Sequence, residues 1–236
     1  MAIVAILGSK EGRQMSKKYV VAGGFGILGG TVCKVLEERG HVAAVIDLAP
    51  IPEGHPTPAE GGVDLTDETG VATAYAALAE KMGGIDGIVN VAGGFLWEML
   101  ADGSLDSWDR MYRMNVRTAV VSSRAALPYL FEGGAIVNVG AAAATNVAAG
   151  MAPYASSKAG VMAFTESLAD ELRGRGIRVN AVLPTILDTP ANRQEMPDAD
   201  TSAWVNPAAA ARVIAFLLSE ESACVTGGGI KLSISG

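Results

Sequence analysis

Charge is scarce in this sequence, and what there is leans one way. Only 18% of the 236 residues are charged, with 18 Lys and Arg against 25 Asp and Glu, a net charge of −7. A protein held on nucleic acid or on an anionic membrane surface needs a basic footprint, and none is present. Cysteine is nearly absent: Cys33 and Cys224 stand far apart in apolar surroundings, which excludes a disulfide framework and fits a reducing cytoplasm with both thiols buried. The two histidines, His41 and His55, have no partners at metal-ligand spacing and read as solvated loop residues, so no metal is expected. No apolar run is long enough to span a membrane, and Met1 to Leu7 is too short for a signal-peptide core. What is abundant is apolar: half of the residues are hydrophobic. That composition, at this length, predicts one large α/β domain with a small-molecule partner.

Residues 1–16 form a lead-in outside the fold, with Met15 as a candidate internal start, and 17–236 read as one dinucleotide-binding domain. From Lys17 onward short β-branched runs alternate with helix-length amphipathic segments, the mark of βαβ units. Strands are expected at Tyr19 to Ala22, Val42 to Ile46, Gly87 to Val91, Ala135 to Val139, Arg178 to Leu183 and Gly229 to Ile234, with a weak one at Gly61 to Val63. Helical spacing links Leu28, Val32, Val35 and Leu36, and again Val71, Tyr75, Leu78 and Met82. Longer helices fit Ser104 to Leu130, Pro153 to Arg173 and Pro207 to Ser219. The expected architecture is a single doubly wound Rossmann-type parallel sheet with helices on both faces.

Between the first strand and the first helix stands Gly24-Phe25-Gly26-Ile27-Leu28-Gly29. A G-x-G-x-x-G turn in that context lets a pyrophosphate approach the backbone and meet the amides of the helix start. Asp47 ends the second strand 18 residues after Gly29, close to the spacing of about 20 for the acid that binds the adenosine ribose. Its carboxylate would repel a 2′-phosphate, and no Arg or Lys lies between Asp47 and Gly62 to neutralise one. NAD(H) is therefore favoured over NADP(H), the alternative for Asp47 being a helix or turn cap.

Tyr154 and Lys158 lie four residues apart at the start of a helix, on one face. A free tyrosine titrates near ~10, so it serves as an acid at neutral pH only where positive charge stabilises the phenolate. Lys158 would supply that charge. The bland alternative is a surface pair with a half-buried tyrosine.

Together these residues identify the chain as resembling the short-chain dehydrogenase/reductases over nearly its whole length. The resemblance implies that Asp64 and Leu65 neighbour the adenine and that Asn90, Ala92 and Gly93 line the cofactor. It further implies that Pro184, after the sixth strand, belongs to the cofactor-binding set, that Thr189 lies near the carboxamide and that Asn115 holds a proton-relay water through a backbone kink. Taken singly, Asp64 and Thr189 read more readily as caps. The family pairs its long helices between subunits, so a homodimer or homotetramer is expected. One departure stands out: where the family has a serine ahead of the tyrosine, this chain has Ala141, with Thr145 and Asn146 the nearest polar candidates.

Dihydropteridine reductases also lack that serine, and the segments Leu183 to Arg193, Met196 to Asp200 and Val91 to Gly94 resemble theirs. The leading expectation is an NADH-dependent reductase of a flat conjugated acceptor such as a quinonoid dihydropteridine. The alternative is a reductase or dehydrogenase for a ketone and secondary-alcohol pair, and a third reading is a non-catalytic NAD-binding regulator. The loop 187–204, rich in Pro, Asn and Asp, is expected to form a substrate lid. Trp204 either stacks on the acceptor or anchors the end of that loop to the core.

Overall fold

The computed structural model describes residues 16–234; the lead-in and the Met15 start lie, but for Ser16, outside the described residues. The chain runs β1 (Lys18–Ala22), α1 (Ile27–Glu38), β2 (Val42–Ile46), β3 (Ala59–Glu60), α2 (Glu68–Met82), β4 (Ile85–Asn90), α3 (Leu105–Tyr112), α4 (Thr118–Ala126), β5 (Leu130–Val139), α5 (Ala152–Glu171), β6 (Arg178–Pro184), α6 (Pro190–Glu195), α7 (Pro207–Leu218) and β7 (Gly229–Leu232). The strands form one parallel sheet in the order β3-β2-β1-β4-β5-β6-β7. The chain winds outward from β1 to β3 and then crosses to β4, so strand order reverses between β1 and β4. In open α/β sheets that crevice, at the carboxyl ends of the strands, is where ligands bind.

Both faces of the sheet are covered, which explains strands that are apolar throughout. Tyr19 and Val21 of β1 pack with Leu28, Val32 and Leu36 of α1 and with Ile214 and Leu217 of α7. Val20 and Ala22 face the other way, toward Val71, Tyr75 and Leu78 of α2, Val121 of α4 and Leu168 of α5. Several helix starts are capped as their sequences require: Asp67 accepts from the amides of Thr69 and Gly70, Ser104 from Asp106 and Asn206 from Ala208. Gly83, at φ +71°, supplies the left-handed stop after α2. No described helix is long and apolar enough to cross a membrane.

The structure corrects several boundaries. The third strand lies at Ala59–Glu60, two residues ahead of the expected place; Gly61 follows it so close to the chain that a Cβ would fall 2.6 Å from the Ile51 amide nitrogen, and Gly62 takes φ +72°, which breaks the extended run. The single helix expected over Ser104 to Leu130 is divided by a π-helical turn, Arg113–Arg117. It stops near Pro128, after which Leu130 already begins β5. Cys224 is exposed rather than buried, since it lies in the surface turn leading to β7, whereas Cys33 is buried in α1. Neither histidine is a bare loop residue: His41 meets the Tyr19 ring edgewise at 5.5 Å and His55 meets Phe25 at 5.2 Å.

Candidate active site

The glycine turn is built on Gly23 as much as on the motif that begins at Gly24. Gly23 has φ +89°, and a Cβ there would sit 2.7 Å from the amide nitrogen of Ala92 on the neighbouring β4 turn. A Cβ on Gly29 would fall 2.1 Å from the Gly23 carbonyl oxygen, and one on Gly24 would meet Val45 of β2 at 2.6 Å. Gly26 is less constrained, at φ −73° with only the Gly23 carbonyl oxygen, at an ordinary 3.6 Å, near its missing Cβ; it is the N-cap of α1 and offers no side chain to the opening amides. Behind it Leu28 is buried and Ile27 is exposed. The result is a bare backbone cradle at an uncapped helix start, which suits a phosphate.

Asp47 stands at the rim of this cradle. Its carboxylate accepts from the Phe25 amide at 2.9 Å and from the Ala49 amide at 2.9 Å, so it is tied to the glycine turn as well as being a turn cap. Asp64 accepts from the amide and hydroxyl of Thr66, which holds its carboxyl below the usual carboxylate range, and Leu65 beside it is buried. Across the crevice the amides of Val91 and Ala92 both donate to the Ala22 carbonyl. Gly93 leaves room for Asn115, whose Oδ1 would lie 2.5 Å from a Cβ at that position.

Asn115 sits in the π-helical turn, a widening that often marks functional positions. Its Oδ1 accepts from the Gly94 amide at 2.9 Å, and its Nδ2 donates to the Gly94 carbonyl at 3.1 Å and to Ser157 Oγ at 2.9 Å. One side chain thus ties the turn after β4 to α5. On α5, Lys158 is buried and donates to the Val139 carbonyl at 2.8 Å. Its Nζ lies 5.9 Å from the centre of the Tyr154 ring, as the spacing of four along a helix predicts. Burial pushes the Tyr154 hydroxyl up to about 12 and brings Lys158 down to about 8. The exposed Phe95 meets the Tyr154 ring edgewise at 4.9 Å.

Beneath these groups a fully buried polar chain sets the register of β4 and β5. Asn90 Nδ2 donates to Asn138 Oδ1 at 2.8 Å and to Ser123 Oγ, and Asn138 Nδ2 donates to Thr165 Oγ1 of α5. Ser122 donates to Asn90 Oδ1 at 2.6 Å and bonds the Tyr75 hydroxyl. No buried side-chain polar atom among the described residues lacks a partner, so the network acts as a rigid frame under the site.

Ala141 is 4% exposed, with only a methyl group where a hydroxyl was in question. Thr145 is exposed and its Oγ1 turns back to the Ala142 carbonyl at 3.3 Å; Asn146 is exposed as well. Pro184 closes β6 against Leu232. Beyond it the segment 187–204 is not the featureless loop its composition suggests. Thr189 caps α6 through the Asn192 amide, and the segment's ends are pinned where Asp188 and Val205 exchange backbone bonds with their neighbours. Trp204 is only 5% exposed, which fits the anchoring alternative and leaves little of the indole to stack on an acceptor: burying so large an apolar surface outweighs leaving it in water.

Sequence reasoning passed over Gly23, Asn138, Val139, Ser157 and Phe95. Gly23 had a signal in the doubled glycine. The Val139 carbonyl had none, since a backbone acceptor does not depend on its side chain. Among the described residues no cluster could hold a metal ion.

The comparisons agree with this geometry. A family model described as Enoyl-(Acyl carrier protein) reductase matches residues 39–232. The chain is 30% identical to 2-(S)-hydroxypropyl-CoM dehydrogenase 3 of Xanthobacter autotrophicus, over 91% of this chain and 94% of that protein. It is 31% identical to a cyclopentanol dehydrogenase of Comamonas, over 92% and 95%. A crystal structure of a short-chain dehydrogenase from Burkholderia cenocepacia in complex with NADP superposes with a TM-score of 0.79 at 32% identity, covering 92% of this chain and 96% of that one. The chain belongs to the short-chain dehydrogenase/reductase family of NAD(P)H-dependent oxidoreductases.

Proposed function

We propose that the protein interconverts a ketone and a secondary alcohol, with Tyr154 as the proton donor, Lys158 as its electrostatic partner and Asn115 as the residue that holds them to the cofactor turn. The observation that carries this reading is the convergence of Tyr154, Lys158 and Asn115 on the turn after β4 and the end of β5, at the same sheet edge as the glycine turn after β1. The relatives named above are alcohol dehydrogenases by name, which supports a ketone and alcohol pair over a quinonoid dihydropteridine. Nothing in the comparisons favours the dihydropteridine reductase resemblance. The intact Tyr154 and Lys158 speak against a non-catalytic regulator.

The residues present suit a nicotinamide dinucleotide: the cradle takes a pyrophosphate and Lys158 offers a cation for the ribose hydroxyls. When bound, the dinucleotide supplies or accepts the hydride. The protein's part is the proton. At neutral pH the Tyr154 hydroxyl keeps its proton, because burial disfavours the phenolate. Giving that proton to a substrate oxygen requires nearby positive charge, and Lys158, with a value of about 8, still carries it at pH 7. Its bond to the Val139 carbonyl fixes the ammonium in place. Asn115 fastens the Gly94 turn to Ser157, one residue before Lys158, so cofactor turn and proton donor move as one body.

Three further parts belong to the same reading. Asp47 selects NAD(H), since a 2′-phosphate would face a carboxylate with no Arg or Lys in the following loop. The segment 187–204 closes over the substrate. Two or four copies associate through α3 and α5, in keeping with exposed Leu105 and Tyr112 on α3. Oxidation of NADH by a panel of simple ketones tests the reading: steady turnover supports it, and cofactor binding without turnover of any ketone or alcohol overturns it.

A further inference from the structure

We propose that the substrate is a neutral molecule with a flat apolar group, selected by Phe95, and that the site rejects the anionic carriers on which relatives of this chain act. The inference rests on the ketone and alcohol reading above and narrows its substrate class.

The first observation is the wall beside Tyr154. Phe95 meets the Tyr154 ring at 4.9 Å, 80° between planes, while remaining 52% exposed. An exposed aromatic ring touching the proton donor is placed to stack on whatever presents its oxygen to that donor. The wall continues as apolar surface. Trp97, 59% exposed, rests on Gly150 and donates to the Ala149 carbonyl at 3.0 Å, and the Glu98 amide bonds the Gly150 carbonyl. Met99 and Leu100 line a small pocket together with Ala152 and Pro153 at the start of α5.

The second observation is charge. The loops after β4, β5 and β6 all leave the same edge of the parallel sheet. Across residues 94–104, 140–151 and 185–204 they hold Glu98, Asp102, Asp188, Glu195, Asp198 and Asp200 against one cation, Arg193. That guanidinium is already spent: its Nε and Nη2 donate to the two carboxylate oxygens of Asp188 at 2.6 and 2.9 Å. A sulfonate, a nucleotide-linked thioester or an acidic carrier protein would meet repulsion from these loops, while a neutral ketone would not.

The test uses the full chain loaded with NADH and three unreactive probes, benzamide, acetamide and benzoate, with affinity read by calorimetry. Benzamide is expected to bind tighter than acetamide by about 2- to 12-fold, the range of a single aromatic pair, and tighter than benzoate. Phe95→Leu should abolish most of the preference for benzamide over acetamide and leave the discrimination against benzoate. Asp188→Asn, which frees Arg193, should narrow the gap to benzoate. NADH affinity on the same samples shows that each variant is folded. Equal binding of benzamide and acetamide, a preference that survives Phe95→Leu, or tightest binding of benzoate each overturns the proposal. A failure of the ketone reading looks different: benzamide then binds as expected, but no ketone is turned over.

Discussion

The Lys158 ammonium lies 5.9 Å from the centre of the Tyr154 ring, inside the protein, with the Val139 carbonyl as its hydrogen-bond partner. Burial works against the charged form of both: it keeps the Tyr154 phenol protonated and leaves the Lys158 ammonium as the disfavoured charge.

Replacing Tyr154 by Phe removes the proton and little else, because the ring keeps its contact with Phe95. NADH affinity is expected to stay within a factor of about 2 while kcat falls by about 10²–10⁴. Fluorescence titration and steady-state kinetics on one preparation check both.

Ala141→Ser should raise activity. Its backbone is extended, at φ −159° and ψ 152°, a conformation any residue adopts. A hydroxyl restored at this position gives the developing oxyanion a second donor, and such a donor is worth about 10²–10³ in kcat. An unchanged kcat for ketone reduction shows that the methyl group does not face the reacting oxygen.

Lys158→Met separates stability from function. In the folded protein the lysine falls from 10.5 to about 8, on the order of 3 kcal/mol of disfavoured charge. The folded state therefore binds fewer protons than the unfolded one between pH 8 and 10.5, and wild-type stability gains with rising pH in that window. The methionine variant lacks this gain. Any advantage it holds over wild type in Tm at pH 7 should shrink by pH 10, with cofactor affinity reduced throughout.

Asp47→Ser should narrow or reverse a preference for NADH over NADPH by removing charge repulsion. Competitive binding of the two cofactors measures it, and equal wild-type affinities show that the carboxylate serves only the Phe25 and Ala49 amides.

Trp204→Ala should act on stability. The indole is buried at the end of the segment 187–204, so its loss is expected to cost about 3–5 kcal/mol, read as a lowered Tm, with KM for a ketone changed much less.

Much of this was legible from sequence because a parallel sheet covered on both faces leaves a plain record. The all-apolar strand Val42–Ile46 and the largely apolar, buried strand Arg178–Pro184 carry it. So do the glycine turn and the spacing of Tyr154 and Lys158, each a local pattern with one geometric meaning. What sequence obscured depends on tertiary approach. Gly23 needs its glycine because of Ala92 in the turn after β4. The helix over Ser104 to Leu130 is interrupted by a π-helical turn in which Asn115 bonds Gly94. The role of Trp204 stayed open between ligand contact and anchor because composition marks 187–204 as a loop but does not say which of its side chains turns inward.

The most direct measurement of the central claim is NADH oxidation by a neutral aryl ketone such as acetophenone, followed in wild type and in Tyr154→Phe with cofactor binding verified in both. Steady turnover in the wild type and near-complete loss in the variant, at equal NADH affinity, is the predicted result. Turnover that persists in Tyr154→Phe contradicts the assignment of the proton donor and with it the account of the site.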